Sequence, residues 1–165
     1  MADLKNVQGL RELQSALKEL PAGIARNVLR GSVNAGATVI RKEAASRAPV
    51  STGPKGADQS PPGTLKRSVY QKQIRELSNL VKQTFYVGVR QGKQYRNQGK
   101  KGKLSQDAFY ARFVEFGTVK MAARPFMRPA FEAKKGEAVD AIKAYLERRI
   151  PEEVVKLAAK LVVKR

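Results

Sequence analysis

Apolar positions repeat with helical spacing toward both ends of the chain and with strand spacing in the middle. Leu10, Leu13, Leu17 and Leu20 recur at three, four and three among Arg11, Glu12, Lys18 and Glu19, which predicts an amphipathic helix. Pro21 interrupts it. Beyond, Ile24, Val28, Ala35, Val39 and Ala44 share a stripe of a second helix, with Arg26, Arg30, Arg41, Lys42 and Arg47 largely elsewhere. Pro49 ends that helix, because the residue before a proline is pushed away from helical dihedrals. Val50 to Gly63, VSTGPKGADQSPPG, is a loop by its chemistry, and 51–63 is expected to be mobile. Two strands are predicted next, Thr64 to Ile74 and Asn79 to Arg90, with Glu76 to Ser78 as the turn. In the second, Val81, Phe85, Val87 and Val89 follow a period of two.

Past Arg90 the periodicity lapses. Arg90, Lys93, Arg96, Lys100, Lys101 and Lys103 stand among glycines without an acid, an exposed basic arm over 90–103 that is also expected to be mobile. Ala108 to Phe116 fits a buried strand or a two-turn helix, and Asp107 as an N-cap with Gly117 as a stop favours the helix. After a loop from Gly117 to Arg128, Pro129 suits the first turn of a long helix reaching about Arg149, with Phe131, Val139, Ile142 and Leu146 inward. Pro151 then opens a shorter helix through Leu161. This order predicts a single α+β domain over 1–165: a small antiparallel β-sheet packed against a long C-terminal helix and N-terminal helices. The edge of so small a sheet is a natural site for pairing with a second subunit.

Charge changes the picture from fold to partners. The 165 residues hold 33 Lys+Arg against 14 Asp+Glu, a net charge of +19, beyond the roughly 2 to 8 that keeps a small domain soluble. Polyanions are therefore expected to attract the chain. There is no histidine and no cysteine, which removes the usual general base, thiolate metal sites and disulfides, so no cofactor or metal is expected. Glu115 with Tyr110 or Ser105 is a poor catalytic constellation without a histidine or metal to tune it, and the chain is expected not to be an enzyme. No apolar run suggests a membrane span or a secretory signal, so synthesis is expected to end in the cytoplasm. A basic nucleic-acid-binding module is the alternative reading, supported by charge alone: zinc spacing, an RNP-type strand motif and a KH pattern are all missing.

The densest unusual stretch is YARFVEFGTVKMAARPFMRPAFE, Tyr110 to Glu132. Phe113, Val114 and Phe116 supply apolar mass, Gly117 allows a backbone reversal, and a Glu115–Arg124 ion pair would fix the loop. This stretch resembles the tail-completion, or head–tail joining, proteins of long-tailed lambdoid-type bacteriophages, through Tyr110-Ala111-Arg112-Phe113-Val114-Glu115-Phe116-Gly117-Thr118 and Ala123-Arg124-Pro125-Phe126-Met127-Arg128-Pro129-Ala130. Weaker similarity runs upstream through Arg47-Ala48-Pro49-Val50-Ser51-Thr52-Gly53, and Thr64-Leu65-Lys66-Arg67-Ser68-Val69 looks like the family's lead into its first strand. Pro54 to Gly63 looks like an insertion. The resemblance implies a non-catalytic virion component, assembled in the host cytoplasm into a homo-oligomeric ring, preferably hexameric, at the neck or head-proximal tail end. Its partners would be head-connector and tail-tube or tail-terminator proteins. By its charge, the basic arm of Arg90, Lys93, Arg96, Lys100, Lys101 and Lys103 is expected to contact either phage DNA, without sequence preference, or an acidic partner protein. The expected subunit interface is Phe113, Glu115, Phe116, Gly117, Arg124, Pro125, Phe126 and Met127.

Overall fold

A computed structural model of the chain describes residues 10–50, 61–92 and 107–163. In chain order the elements are α1 (Leu10–Glu19), α2 (Ala22–Arg47), α3 (Thr64–Ser68), β1 (Val69–Gln73), a 3-10 turn (Arg75–Leu77), β2 (Phe85–Val89), α4 (Ala111–Phe116) and α5 (Met127–Val163). One two-stranded antiparallel sheet with helices before and after it makes the fold α+β, as the hydrophobic pattern predicts. Residues of the expected loop at 51–60 and of the arm from Lys93 to Lys103 lie outside the described residues.

Both strands are shorter than the pattern suggests. Thr64 to Ser68 coil into a helical turn: Gly63 takes a left-handed conformation (φ 76°) before it, Thr64 Oγ1 donates to Pro61 O (2.6 Å), and Ser68 Oγ donates to Thr64 O (2.7 Å). Hydroxyls that bond back to the local backbone compete with a sheet ladder, so the strand begins only at Val69. At the far end, Ile74 N–H donates to Thr84 O (2.9 Å), and at the near end Arg90 N–H donates to Ser68 O (3.0 Å), which sets Val69 opposite Val89. Val69, Val87 and Val89 pack inward, while Tyr70, Tyr86 and Arg90 line the outer face, with Arg90 5.2 Å from the Tyr70 ring centre. Gly88 is buried there because the Tyr86 ring lies across it.

The chain forms two compact units. The first comprises 1–36, 73–85 and 139–165. Its core is Val28, Leu146 and Ile150, flanked by Leu17, Ile24 and Ile142, each fully buried side chain being worth about 1.5–3 kcal/mol. Gly31 lets α2 and α5 approach: a methyl group there would collide with the Tyr145 hydroxyl. An open cleft of about 600 Å³ beside this contact is lined by Ile24, Val28, Asn34, Gln73, Tyr145 and Arg149, among others.

Contrary to the two-helix expectation, α5 runs unbroken through Pro151. An interior proline costs about 3 kcal/mol through its missing hydrogen bond and ring clash. The turn is held on both sides, by Ile150 buried in the core and by Arg149, whose guanidinium reaches past Pro151 to Glu152 (2.6 Å) and Glu153 (2.8 Å).

The second unit comprises 37–72 and 86–138. Its core joins Ala44 and Ala48 of α2, Leu65, Val69, Ala108, Ala111 and Ala130 around Phe126. Five alanines bring backbones close, and Phe126 supplies the bulk. Gln71 ties β1 to α2, donating to Thr38 Oγ1 (2.9 Å) and accepting from Arg41 Nε (3.1 Å). Phe131, expected inward, is exposed, because α5 starts two residues before Pro129 and its inward stripe passes instead through Ala130 and Ala138.

Candidate assembly surface

The corner from α4 to the start of α5 is built around one carboxylate. The first N–H groups of a helix have no partner within it. Here Glu115 Oε2 accepts from the N–H groups of Phe126 (2.8 Å) and Met127 (3.0 Å), and its Oε1 accepts from that of Arg128 (3.1 Å). The next residue is Pro129, which has no N–H, and Ala130 N–H then opens the helical ladder on Phe126 O. A glutamate from α4 and a proline in the first turn thus settle every unpaired donor at the start of α5. Partial burial opposes ionisation of Glu115, but the three N–H donors and the nearby Arg128 charge outweigh it and hold the carboxyl below its ordinary range.

The chain between the two helices doubles back in ten residues. Gly117, with φ 76° and ψ −180°, reverses it in a region that only glycine occupies freely, and its N–H caps α4 on Phe113 O (2.8 Å). A methyl group at Gly117 would meet Met121 O and Ala123 N at 2.9 Å, so close approach demands glycine as well. Thr118 and Met121 form a short bridge, and Arg124 N–H donates back to Val114 O (2.8 Å).

This geometry divides the residues predicted as an interface. Phe126 is 1% exposed and sits in the core, so it leaves the set of direct contacts: its ring is the packing centre of the second unit. Glu115 and Gly117 are partly buried and hold the corner, and Met127 packs against the core. The expected Glu115–Arg124 ion pair does not form, because the carboxylate is turned onto the α5 backbone. Phe113, Phe116, Arg124 and Pro125 face outward. Phe116 is 73% exposed; Val119 and Met121, which the motif did not single out, are exposed beside it in the chain. Arg112 (over the Phe113 ring at 4.8 Å), Lys120, Arg124 and Arg128 are the exposed charges of this segment. The corner therefore presents an apolar and cationic face on a backbone locked from within.

Asp107 does not cap α4 either. Tyr110 holds that position, and the buried Asp107 carboxylate accepts from Gly92 N–H (2.9 Å), fixing the near end of the basic arm. Of the arm's basic residues only Arg90 is among the described residues, stacked over Tyr70. The Glu115 carboxylate is committed to its cap, Tyr110 makes an edge contact with Phe109, and Ser105 lies outside the described residues. No group of three His, Cys, Asp or Glu side chains gathers among the described residues, and none of the described helices is long and apolar enough to cross a membrane.

A second outward surface was not legible from periodicity. The hairpin tip exposes Leu77, Leu80 and Val81, the last at 85%. Its backbone is tightly tied. Asn79 Oδ1 accepts from Val81 N–H (3.0 Å) and Lys82 N–H (2.8 Å), Ser78 Oγ donates to Ile74 O (2.6 Å) and accepts from Thr84 N–H (3.0 Å), and Thr84 Oγ1 donates to Leu77 O (3.0 Å). The sequence signal that points to it is Ser78-Asn79, a side-chain turn pair directly before two apolar residues.

No curated protein and no solved structure is similar to the chain at a significant level. Residues 11–117 match the HK97-gp10-like family, described as "Bacteriophage HK97-gp10, putative tail-component". The match runs from α1 through Gly117, taking in Glu115 and the end of α4, while the Ala123–Ala130 half of the motif lies beyond it. Covering well over half of the 165 residues, it shows that the chain belongs to the HK97-gp10-like family of bacteriophage tail components.

Proposed function

We propose that this tail component is a non-catalytic structural protein of the virion that self-assembles into a ring, preferably of six copies, at the head-proximal end of the tail. There it completes the tail and joins it to the head, between the head connector and the tail-tube or tail-terminator proteins. The observation that carries this reading is the outward face of Phe116, Val119 and Met121 on a corner whose backbone is fixed by Glu115 and Gly117. Rigid presentation of aromatic and arginine side chains suits an interface core, because little conformational freedom is lost on docking. The net charge of +19 favours a position beside phage DNA, bound without sequence preference.

The test is made on particles. Phe116→Asp combined with Val119→Asp leaves the core untouched, so the chain stays folded and soluble; it is expected to drop out of particles, leaving heads and tails unjoined or tails unfinished. Infectious phage carrying this variant at normal copy number would overturn the reading.

A further inference from the structure

We infer that the outer face of the hairpin is a platform for an unpaired nucleic-acid strand, on which Tyr86 stacks a base while Lys72 and Arg90 hold the phosphates beside it. This site rests on the DNA contact proposed above and gives it a surface, and it is independent of the ring. The register that sets Val69 opposite Val89 also sets Tyr70 opposite Gly88 and Lys72 opposite Tyr86. Alternation then puts Tyr70, Lys72, Tyr86 and Arg90 on one face, turned away from the core and all within the second unit. The two rings meet edge to face with centres 6.2 Å apart, and the Arg90 guanidinium lies 5.2 Å from the centre of the Tyr70 ring. Gly88 keeps this face flat. Any side chain there would collide with Tyr86, whose ring lies across the glycine although the residue is 51% exposed. An aromatic side chain held against backbone in this way loses little freedom when a base stacks on it.

Charge and ring chemistry together select the occupant. Neither strand carries an acid on this face, and Lys72 is exposed without a side-chain partner among the described residues. Every acid of the second unit among the described residues is already engaged. Glu43 pairs with Arg47, Glu132 with Lys135 and Glu137 with Lys134, Glu115 accepts from the start of α5, and the buried Asp107 accepts from Gly92 N–H. Lys42, Lys66, Lys72, Lys120 and Arg124 of the same unit have no acidic partner among the described residues. The surface of this unit is therefore cationic, and its complement is a polyanion. Nucleic acid and acidic protein both have that sign, and the rings choose between them. Every base has a π-face to lay on Tyr86, and its phosphates accept from lysine and arginine. An acidic protein surface has no such use for an exposed ring. Bases are free to stack on a side chain where the strand is unpaired.

The test is an anisotropy titration of the full chain with fluorescein-labelled oligothymidine, and with a labelled duplex of the same length, over a series of salt concentrations. Tyr86→Leu keeps an apolar cover over Gly88 and removes no charge. It is expected to weaken single-strand binding about fivefold to tenfold at every salt concentration, with the salt slope unchanged and duplex binding barely altered. Tyr86→Phe, which keeps the ring, is expected to bind as the parent does. Lys72→Gln is expected to lower the salt slope by about one with either probe, and Lys120→Gln, at the corner, to leave it as in the parent. A Tyr86→Leu chain that binds oligothymidine as tightly as the parent would overturn the inference, and so would a Lys120→Gln chain that loses as much as Lys72→Gln. If Tyr86→Leu does not fold, the two lysine variants decide alone, since both side chains are exposed. Displacement of oligothymidine by polyglutamate at equal charge concentration would overturn the inference in favour of an acidic protein. A parent chain that binds neither probe at low salt would overturn this site together with the DNA contact proposed above, while the ring reading, tested on particles, would stand.

Discussion

The corner at 115–127 and the hairpin tip at 74–84 present apolar side chains to solvent by opposite constructions. At the corner, a charged carboxylate gathers three backbone donors, a glycine sits where other residues strain, and Phe126 drives the turn into the core. At the tip, neutral side chains close the loop on itself, with Asn79, Ser78 and Thr84 bonding their near neighbours, and Leu77, Leu80 and Val81 stay out of any core. Both are rigid, but only the corner shares its order with the core. A surface of the first kind is lost when the protein unfolds, whereas one of the second kind can loosen alone.

Core substitution should break this comparison most. Phe126→Ala empties the centre of the second unit and is expected to cost about 3–5 kcal/mol, read as a fall in the urea midpoint. Leu80→Ala at the tip removes a side chain of comparable hydrophobicity from solvent and is expected to stay within about 0.5 kcal/mol of the parent. Equal losses from the two would mean that the tip is packed in solution.

Gly117→Ala comes next. The new methyl meets backbone atoms at 2.9 Å, and φ 76° with ψ −180° strains any side-chain-bearing residue, so a loss of about 2–3 kcal/mol is expected in the same titration. Gly92, whose φ is also positive, has nothing among the described residues within 4 Å of where a methyl group would stand; alanine there carries the backbone strain alone and should cost less. The difference isolates the close return of the 118–123 segment from backbone strain.

Glu115→Gln tests the carboxylate. A neutral amide keeps one acceptor oxygen and turns its NH2 toward N–H donors, so at neutral pH a loss of about 1–2 kcal/mol is expected. Because the folded carboxyl titrates below its ordinary value of 4.5, its contribution is fully present above that pH and vanishes as pH falls through the lower folded value. Stability curves of parent and variant should therefore run parallel above pH 4.5 and converge below it. Curves that stay parallel down to acid unfolding would show that the charge is not what holds the corner.

How much of this is legible in the sequence follows from the same physics. Helical periodicity places α1, α2 and α5 because their apolar stripes answer to packing over many turns. The motif at 110–130 is visible as a concentration of unusual residues, but it mixes two roles: Glu115, Gly117 and Phe126 build the corner, while Phe116 and Arg124 face outward. Nothing in a one-dimensional pattern tells a buried phenylalanine from an exposed one ten residues earlier; that depends on where α5 begins, which Glu115 sets from another helix. Alternation overextends the first strand because Thr64 and Ser68 prefer local backbone bonds that only a folded turn reveals. Pro151 misleads in the same way, since a buried Ile150 and the Arg149 pairs outweigh a local helix-breaking preference.

The smallest expected effect lies at the tip. Asn79→Ala removes the acceptor for the Val81 and Lys82 N–H groups, at 3.0 and 2.8 Å. Both donors are in the exposed part of the turn, where water replaces the lost oxygen, so the net cost is about 0.5–1 kcal/mol. Because no core residue depends on this turn, the cost falls on local opening, and amide exchange at Val81 and Lys82 should quicken about threefold to fivefold while the urea midpoint barely moves. If Asn79→Ala lowered global stability as far as Glu115→Gln, the tip would be coupled to the core after all, and the two constructions would not be distinct.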